Sequence, residues 1–227
     1  MTPLVWLFLV VFLPLLFIFL FYKLVTLSFV KLGIPPALVF ALFVLILVGG
    51  LVNIPVWQTH TQDPGEFFRF GRFVFFQPPE VRTVVVAVNV GGALIPILLC
   101  AFLLPKAPFL RTLFAVAVVA AVAHWLARVV PGEGITVNAL IPPLVAAGVA
   151  MLVAWRHAAP VAYIAGTLGV LIGADLLNMR QVIEAGGGTF LSIGGAGVFD
   201  AVFLVGIIAG FLSPGTGSRA RTSMEQH

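Results

Sequence analysis

Charge and cysteine are both scarce in this chain. Among 227 residues there are twelve Lys and Arg, eight Asp and Glu, and one cysteine. A single Cys100 inside an apolar run rules out a disulfide framework and reads as a small buried hydrophobe. Charged residues make up 9% against roughly 25% in soluble domains, so water is not the main solvent of this chain. Catalytic signatures are missing as well. There is no H-E-x-x-H zinc pattern, no G-x-S-x-G nucleophile elbow and no phosphate-cradling Gly-x4-Gly-Lys loop. His60, His124, His157 and His227 lie far apart without metal-ligand spacing, so no metal site and no cofactor is expected. The net charge of +4 is spread as single basic residues, which excludes a nucleic-acid-tracking stripe.

What the chain has in abundance is apolar length. It is 61% hydrophobic with a mean hydropathy of +1.18, and its apolar stretches approach the ~20 helical residues that cross a hydrocarbon core about 30 Å thick. Segments of alternating polarity, as barrel strands require, are scarce. The expectation is an all-α polytopic bundle in the cell inner (plasma) membrane. About seven spans fall near 4–22, 35–53, 83–104, 109–130, 138–155, 160–180 and 195–213. No basic n-region precedes the first run, so it reads as a span and not a cleaved signal. Pro35-Pro36, Asn53-Ile54-Pro55, Pro105-Lys106-Ala107-Pro108 and Gly186-Gly187-Gly188 punctuate the intervals. Residues 1–213 read as one bundle and 214–227 as a disordered cytoplasmic tail.

Basic residues near span ends set the orientation. One set of loops carries Lys23, Lys31, Lys106, Arg111, Arg156, Arg219 and Arg221. The other balances Arg69, Arg72, Arg82, Arg128 and Arg180 with Asp63, Glu66, Glu80, Glu133 and Glu184. The first set belongs in the cytoplasm, with the N-terminus outside and the C-terminus inside. The external loop, about 54–82, interleaves Phe67, Phe68, Phe70, Phe73, Phe75 and Phe76 with Arg69 and Arg72. That composition suits the membrane interface, as an interfacial helix or as a hairpin turning at Gly71. His124, Trp125 and Arg128 at the end of the fourth span read as interface anchors.

The candidate site is a pair of aspartates in apolar surroundings. Asp175 follows Gly166, Gly169 and Gly173, which fall on one helical stripe, and Asn178 is placed on the aspartate's face. Asp200 follows Gly194-Gly195-Ala196-Gly197-Val198-Phe199. A charged Asp deep in a helix costs about 2.5–3.5 kcal/mol on insertion scales, so it usually has a purpose. Two close carboxyls would share a proton. The plainer reading is that each Asp caps a helix end or bonds a neighbour. Asn89 and Asn138 each precede an Ala-Leu-Ile-Pro run, Ala93–Pro96 and Ala139–Pro142, which is a short internal echo. Asn89, Gly91, Gly92 and Pro96 together predict a broken helix.

From Tyr163 to Leu212, and at Val52-Asn53-Ile54-Pro55 and Asn89-Val90-Gly91-Gly92, the chain resembles an uncharacterised prokaryotic membrane family known only as a domain of unknown function. That resemblance implies a multipass membrane protein and no activity. More distantly, Asp175 and Asp200 resemble the paired aspartates of presenilin and signal-peptide-peptidase proteases. Two residues separate Gly197 from Asp200 where that motif has none, and no Pro-Ala-Leu follows. Three functions stay open. The first is handling of a cation, proton or small solute, with Asp175 and Asp200 titrating and Asn178, Asn89 and Asn138 as liners. The second is intramembrane aspartyl proteolysis, and the third is a non-catalytic subunit of a membrane complex or homo-oligomer.

Overall fold

The structure, a computed structural model, describes residues 3–63, 66–78, 80–130, 134–138, 140–184, 190–195 and 201–214. Helix α1 runs Pro3–Lys31 and presents Phe8, Phe12, Phe17 and Leu20 outward, while an i, i+4, i+8 line of Phe21, Val25 and Phe29 is buried together with Ser28. A helix apolar all round belongs in lipid. It stops at Gly33 (φ +77°), where the Ile34 N–H donates back to the Phe29 carbonyl at 3.0 Å. The proline pair then restarts the chain as α2, Pro36–Gly49.

The loop expected to be external is a ribbon of strands. β1 (Asn53–Asp63) pairs antiparallel with β4 (Glu80–Asn89), from Asn53↔Asn89 to Asp63↔Glu80. β2 (Glu66–Phe70) and β3 (Phe73–Gln77) form a hairpin turning at Gly71 (φ +63°), so the hairpin reading is the one found and the interfacial helix is not. β4 runs without a loop into a π-helical turn, Val90–Leu94, and then α3, Ile95–Leu103. The expected span 83–104 therefore begins as strand, as far as Asn89, and is helical only from Val90. Hydropathy does not separate a buried strand from a helix, but Val84-Val85-Val86-Ala87-Val88 carries the β-branched enrichment that does.

Helix α4 (Phe109–Leu126) precedes two short paired strands, β5 (Arg128–Val130) and β6 (Gly134–Thr136). α5 (Ile141–Ala154) breaks at Trp155–His157 and folds back as α6 (Ala158–Val170). α6 continues into a second π-helical segment, Leu171–Leu176, and a short α7, Met179–Glu184. β7 (Phe190–Ile193) then joins the edge of β4 in parallel, Val85↔Phe190 to Val88↔Ile193, before α8, Ala201–Leu212. The all-α expectation is thus corrected. The chain is mostly helical, with a three-stranded sheet ordered β1-β4-β7 and two hairpins.

α6 is the central helix. Every residue from Ala158 to Thr167 is buried, and α3, α4, α5 and α8 surround it. Small residues make this possible. A Cβ on Gly166 would press on Val205 and Ala209 of α8, one on Gly169 would lie 2.6 Å from Val119, and one on Gly173 would collide with the Ala120 carbonyl. The glycine stripe therefore serves two neighbours, α8 and α4. Among the described residues, three stretches are long and apolar enough to cross a membrane: Phe8–Lys31, Phe109–Leu126 and Ile141–Glu184, the last containing the α5–α6 fold-back. Pro36–Gly49 and Val90–Lys106 are apolar but shorter. This is a membrane protein.

Basic side chains close helix ends at one pole. Lys106 Nζ donates to the Leu32 carbonyl at 3.3 Å, Arg111 Nη1 to that of Val153 at 3.0 Å, and Lys31 Nζ to those of Phe211 and Ser213. The carbonyl ends of α1, α5 and α8 are the negative ends of their helix dipoles, so each cation meets complementary charge.

Candidate functional site

Asn89, at the end of β4, is fully buried and uses both ends of its amide. Its Nδ2 donates to the Gly50 carbonyl at 2.9 Å and to Asn53 Oδ1 at 3.1 Å. Its Oδ1 accepts the Gly92 N–H at 2.7 Å, capping the first π turn. Asn53 Oδ1 in turn lies 2.6 Å from the Ser192 hydroxyl, which also reaches the Gly195 carbonyl at 2.6 Å. One polar knot therefore ties α2, β1, β4, the π turn and β7. Backbones approach closely around it: a Cβ on Gly91 would run into the Ile46 carbonyl and the Gly50 nitrogen. Only glycine admits that crossing.

Asp175 belongs to the second π segment. There the Leu177 N–H reaches back five residues to the Ile172 carbonyl at 2.9 Å, which disturbs the helical satisfaction of nearby carbonyls. Asn178 answers two of them. Its Nδ2 donates to the Gly173 and Ala174 carbonyls, both at 2.9 Å. Asn178 is thereby buried against its own helix and does not line a site beside Asp175; the expected shared face assumed an unbroken α-helical period. Asp175 Oδ2 accepts the Gly194 N–H at 2.9 Å. Gly194 (φ +80°) is packed so tightly that a Cβ would lie 2.5 Å from Ala93 Cβ, in the first π turn. β7 thus clamps the two π segments together through one glycine.

Beside this clamp lies a cavity of about 260 Å³, with Gly134, Val170, Asp175, Met179, Ser192 and Val202 among its lining residues. Asp175 is the one ionisable side chain among the described lining residues. The other described side chains of the wall are apolar apart from the Ser192 hydroxyl, and main-chain groups supply the remaining polar surface. A space of this kind takes several waters or a small solute, with one carboxylate to fix a cation or a proton.

The other expected site residues lie elsewhere. Asn138 is exposed, and its Oδ1 accepts the Leu140 and Ile141 N–H groups at 2.9 and 3.3 Å, closing the start of α5. Asn89 sits in the knot and not on the cavity wall. Asp200 lies outside the described residues, as do most of the expected tail and Glu133. Ser192 and Asn53 were missed as site residues. Asn53 falls within an expected breaker, and the four-residue strand that carries Ser192 leaves little periodic signal. Among the described residues no group of three or more His, Cys, Asp or Glu gathers to hold a metal.

Residues 47–212 match the family described as "Protein of unknown function (DUF1614)", and the chain belongs to that family. The matched region covers both π segments, the polar knot and Asp175. No curated protein and no solved structure matches the chain.

Proposed function

We propose that this protein handles a small cation, a proton or a small polar solute at the Asp175 cavity. The observation that carries the reading is that Asp175, the one ionisable side chain among the described lining residues, faces a cavity whose other described side chains are apolar apart from Ser192, and is held on a π segment within a long apolar helical run. π segments frequently mark functional positions, because the widened turn frees backbone groups and re-aims side chains. Ionisable residues in apolar spans mark ion and proton pathways. Asp200, just ahead of α8, is the second titrating carboxylate of the proposal.

The same proposal takes the chain to cross the inner membrane seven times, with α1 entering from outside and the C-terminus inside. Two features support it. Lys31, Lys106 and Arg111 cap helix ends at one pole, and an excess of Lys and Arg marks cytoplasmic loops. The strand ribbon, with its balanced charges, extends from the other ends of α2 and α3. Helices as short as α2 and α8 fit a bundle whose polar backbone is satisfied by protein at the clamp.

The test is flux. Protein reconstituted in liposomes with an internal pH dye should move protons or alkali cations down an imposed gradient. Asp175→Asn should abolish movement while the protein remains folded, and Asp200→Asn should do the same. Normal flux in both variants sinks the reading and favours a non-catalytic subunit.

A further inference from the structure

A second cavity, of about 480 Å³, opens between α2 and α3 at the basic pole. Pro35, Leu38, Leu42 and Leu45 line one side and Leu99 and Phe102 the other, and no polar side chain contributes. Leu38, Leu42 and Leu45 recur at helical spacing, so they form one continuous wall. From Pro35 to Leu45 the helix rises about 15 Å at 1.5 Å per residue. That is half of a hydrocarbon core about 30 Å thick, the depth of one leaflet.

A cation stands at the end of this groove. Lys106 Nζ lies 4.6 Å from the centre of the Phe102 ring, and 3.6 Å from where a Cβ on Gly33 would sit; both residues line the groove. One of its three protons meets the Leu32 carbonyl at 3.3 Å, which leaves donors for another acceptor. Lys31 and Arg111 are turned to the ends of α8 and α5. No carboxylate is among the described contacts of Lys106.

We infer that the groove binds one anionic phospholipid, with an acyl chain along Leu38, Leu42 and Leu45 and the phosphate on Lys106. Charge complementarity is the argument for this occupant. An acyl chain gains little by leaving bulk lipid for an apolar groove, because the two are equally apolar. Selection therefore rests on the headgroup, and one lysine near a membrane surface favours an anionic lipid about fivefold.

The full-length protein in mild detergent is incubated with equal phosphatidylglycerol and phosphatidylcholine and weighed by native mass spectrometry. One phosphatidylglycerol per chain should be retained, about fivefold over phosphatidylcholine. Lys106→Gln should reduce the two lipids to parity, and Lys106→Arg should keep the preference. Ala41→Phe, which fills the exposed groove wall, should release both lipids without lowering the melting temperature. Equal retention by the wild type overturns the proposal, as does a preference that survives Lys106→Gln. A lipid-free dimer, with a second copy covering the groove, overturns it too.

Discussion

The Gly194 N–H points at Asp175 Oδ2 from 2.9 Å, while the other side of the same glycine rests on Ala93. The carboxylate proposed to bind a solute is thereby also a structural acceptor, and the two roles separate by substitution. Asp175→Asn keeps an oxygen for Gly194 and should melt near the wild type. Asp175→Ala strands a largely enclosed N–H and should lose about 1–3 kcal/mol. Thermal unfolding in detergent measures both. Equal stability of the two variants would mean the Gly194 bond contributes nothing.

Gly194→Ala tests the clamp itself. The new methyl would meet Ala93 and also hold a positive φ, combining overpacking with a backbone penalty. The expected loss is about 3 kcal/mol, from 1–3 for overpacking and 1–2 for the left-handed conformation. A melting temperature within a degree of wild type would show that β7 does not lie against the first π turn.

Asn89→Ala should be more damaging than Asn138→Ala. The first removes three hydrogen bonds at a fully buried position, and the second removes two at an exposed one that water replaces. Buried groups left unpaired cost about 1–3 kcal/mol each, whereas exposed substitutions usually fall within about 0.5 kcal/mol, or near 1 where a cap is lost. Urea or thermal unfolding ranks the two, and a reversed order would discard the knot.

The proposed topology is readable with thiol chemistry. Cys100 is buried, so a Cys100→Ser background removes little exposed reactivity. In that background Gly71→Cys, at the exposed hairpin turn, should react with a membrane-impermeant maleimide on intact cells. Arg156→Cys, exposed between α5 and α6, should react only after permeabilisation. Labelling of both on intact cells would reject the orientation.

Much of this architecture was legible in composition. The apolar runs form most of the helices, and the breakers at Pro35-Pro36 and Pro105–Pro108 and the turn at Gly71 lie where the chain changes direction. Asn89, Gly91 and Gly92 announced the interruption before α3, and they form it. What stayed hidden depends on tertiary partners. The π segment at Leu171–Leu176 shifts Asn178 away from the face that a regular helix would give it, and no local residue marks that shift. Ser192 meets Asn53 only because β7 returns to the β4 edge. Pairings between distant segments leave no periodicity to read.

That return has a consequence for how the molecule is made. β4 emerges early, and its pairing edge waits while α3, α4, α5 and α6 are synthesised, because Val85 finds Phe190 only afterwards. Assembly therefore carries a late, long-range step, slow in the way that non-local strand pairing is slow. Until it is completed, an open strand edge stands on the side where the ribbon emerges, ready to pair with a neighbour. In a pulse of hydrogen exchange during synthesis, the β4 amides that face β7 should be the last to gain protection, marking the moment the nascent chain closes.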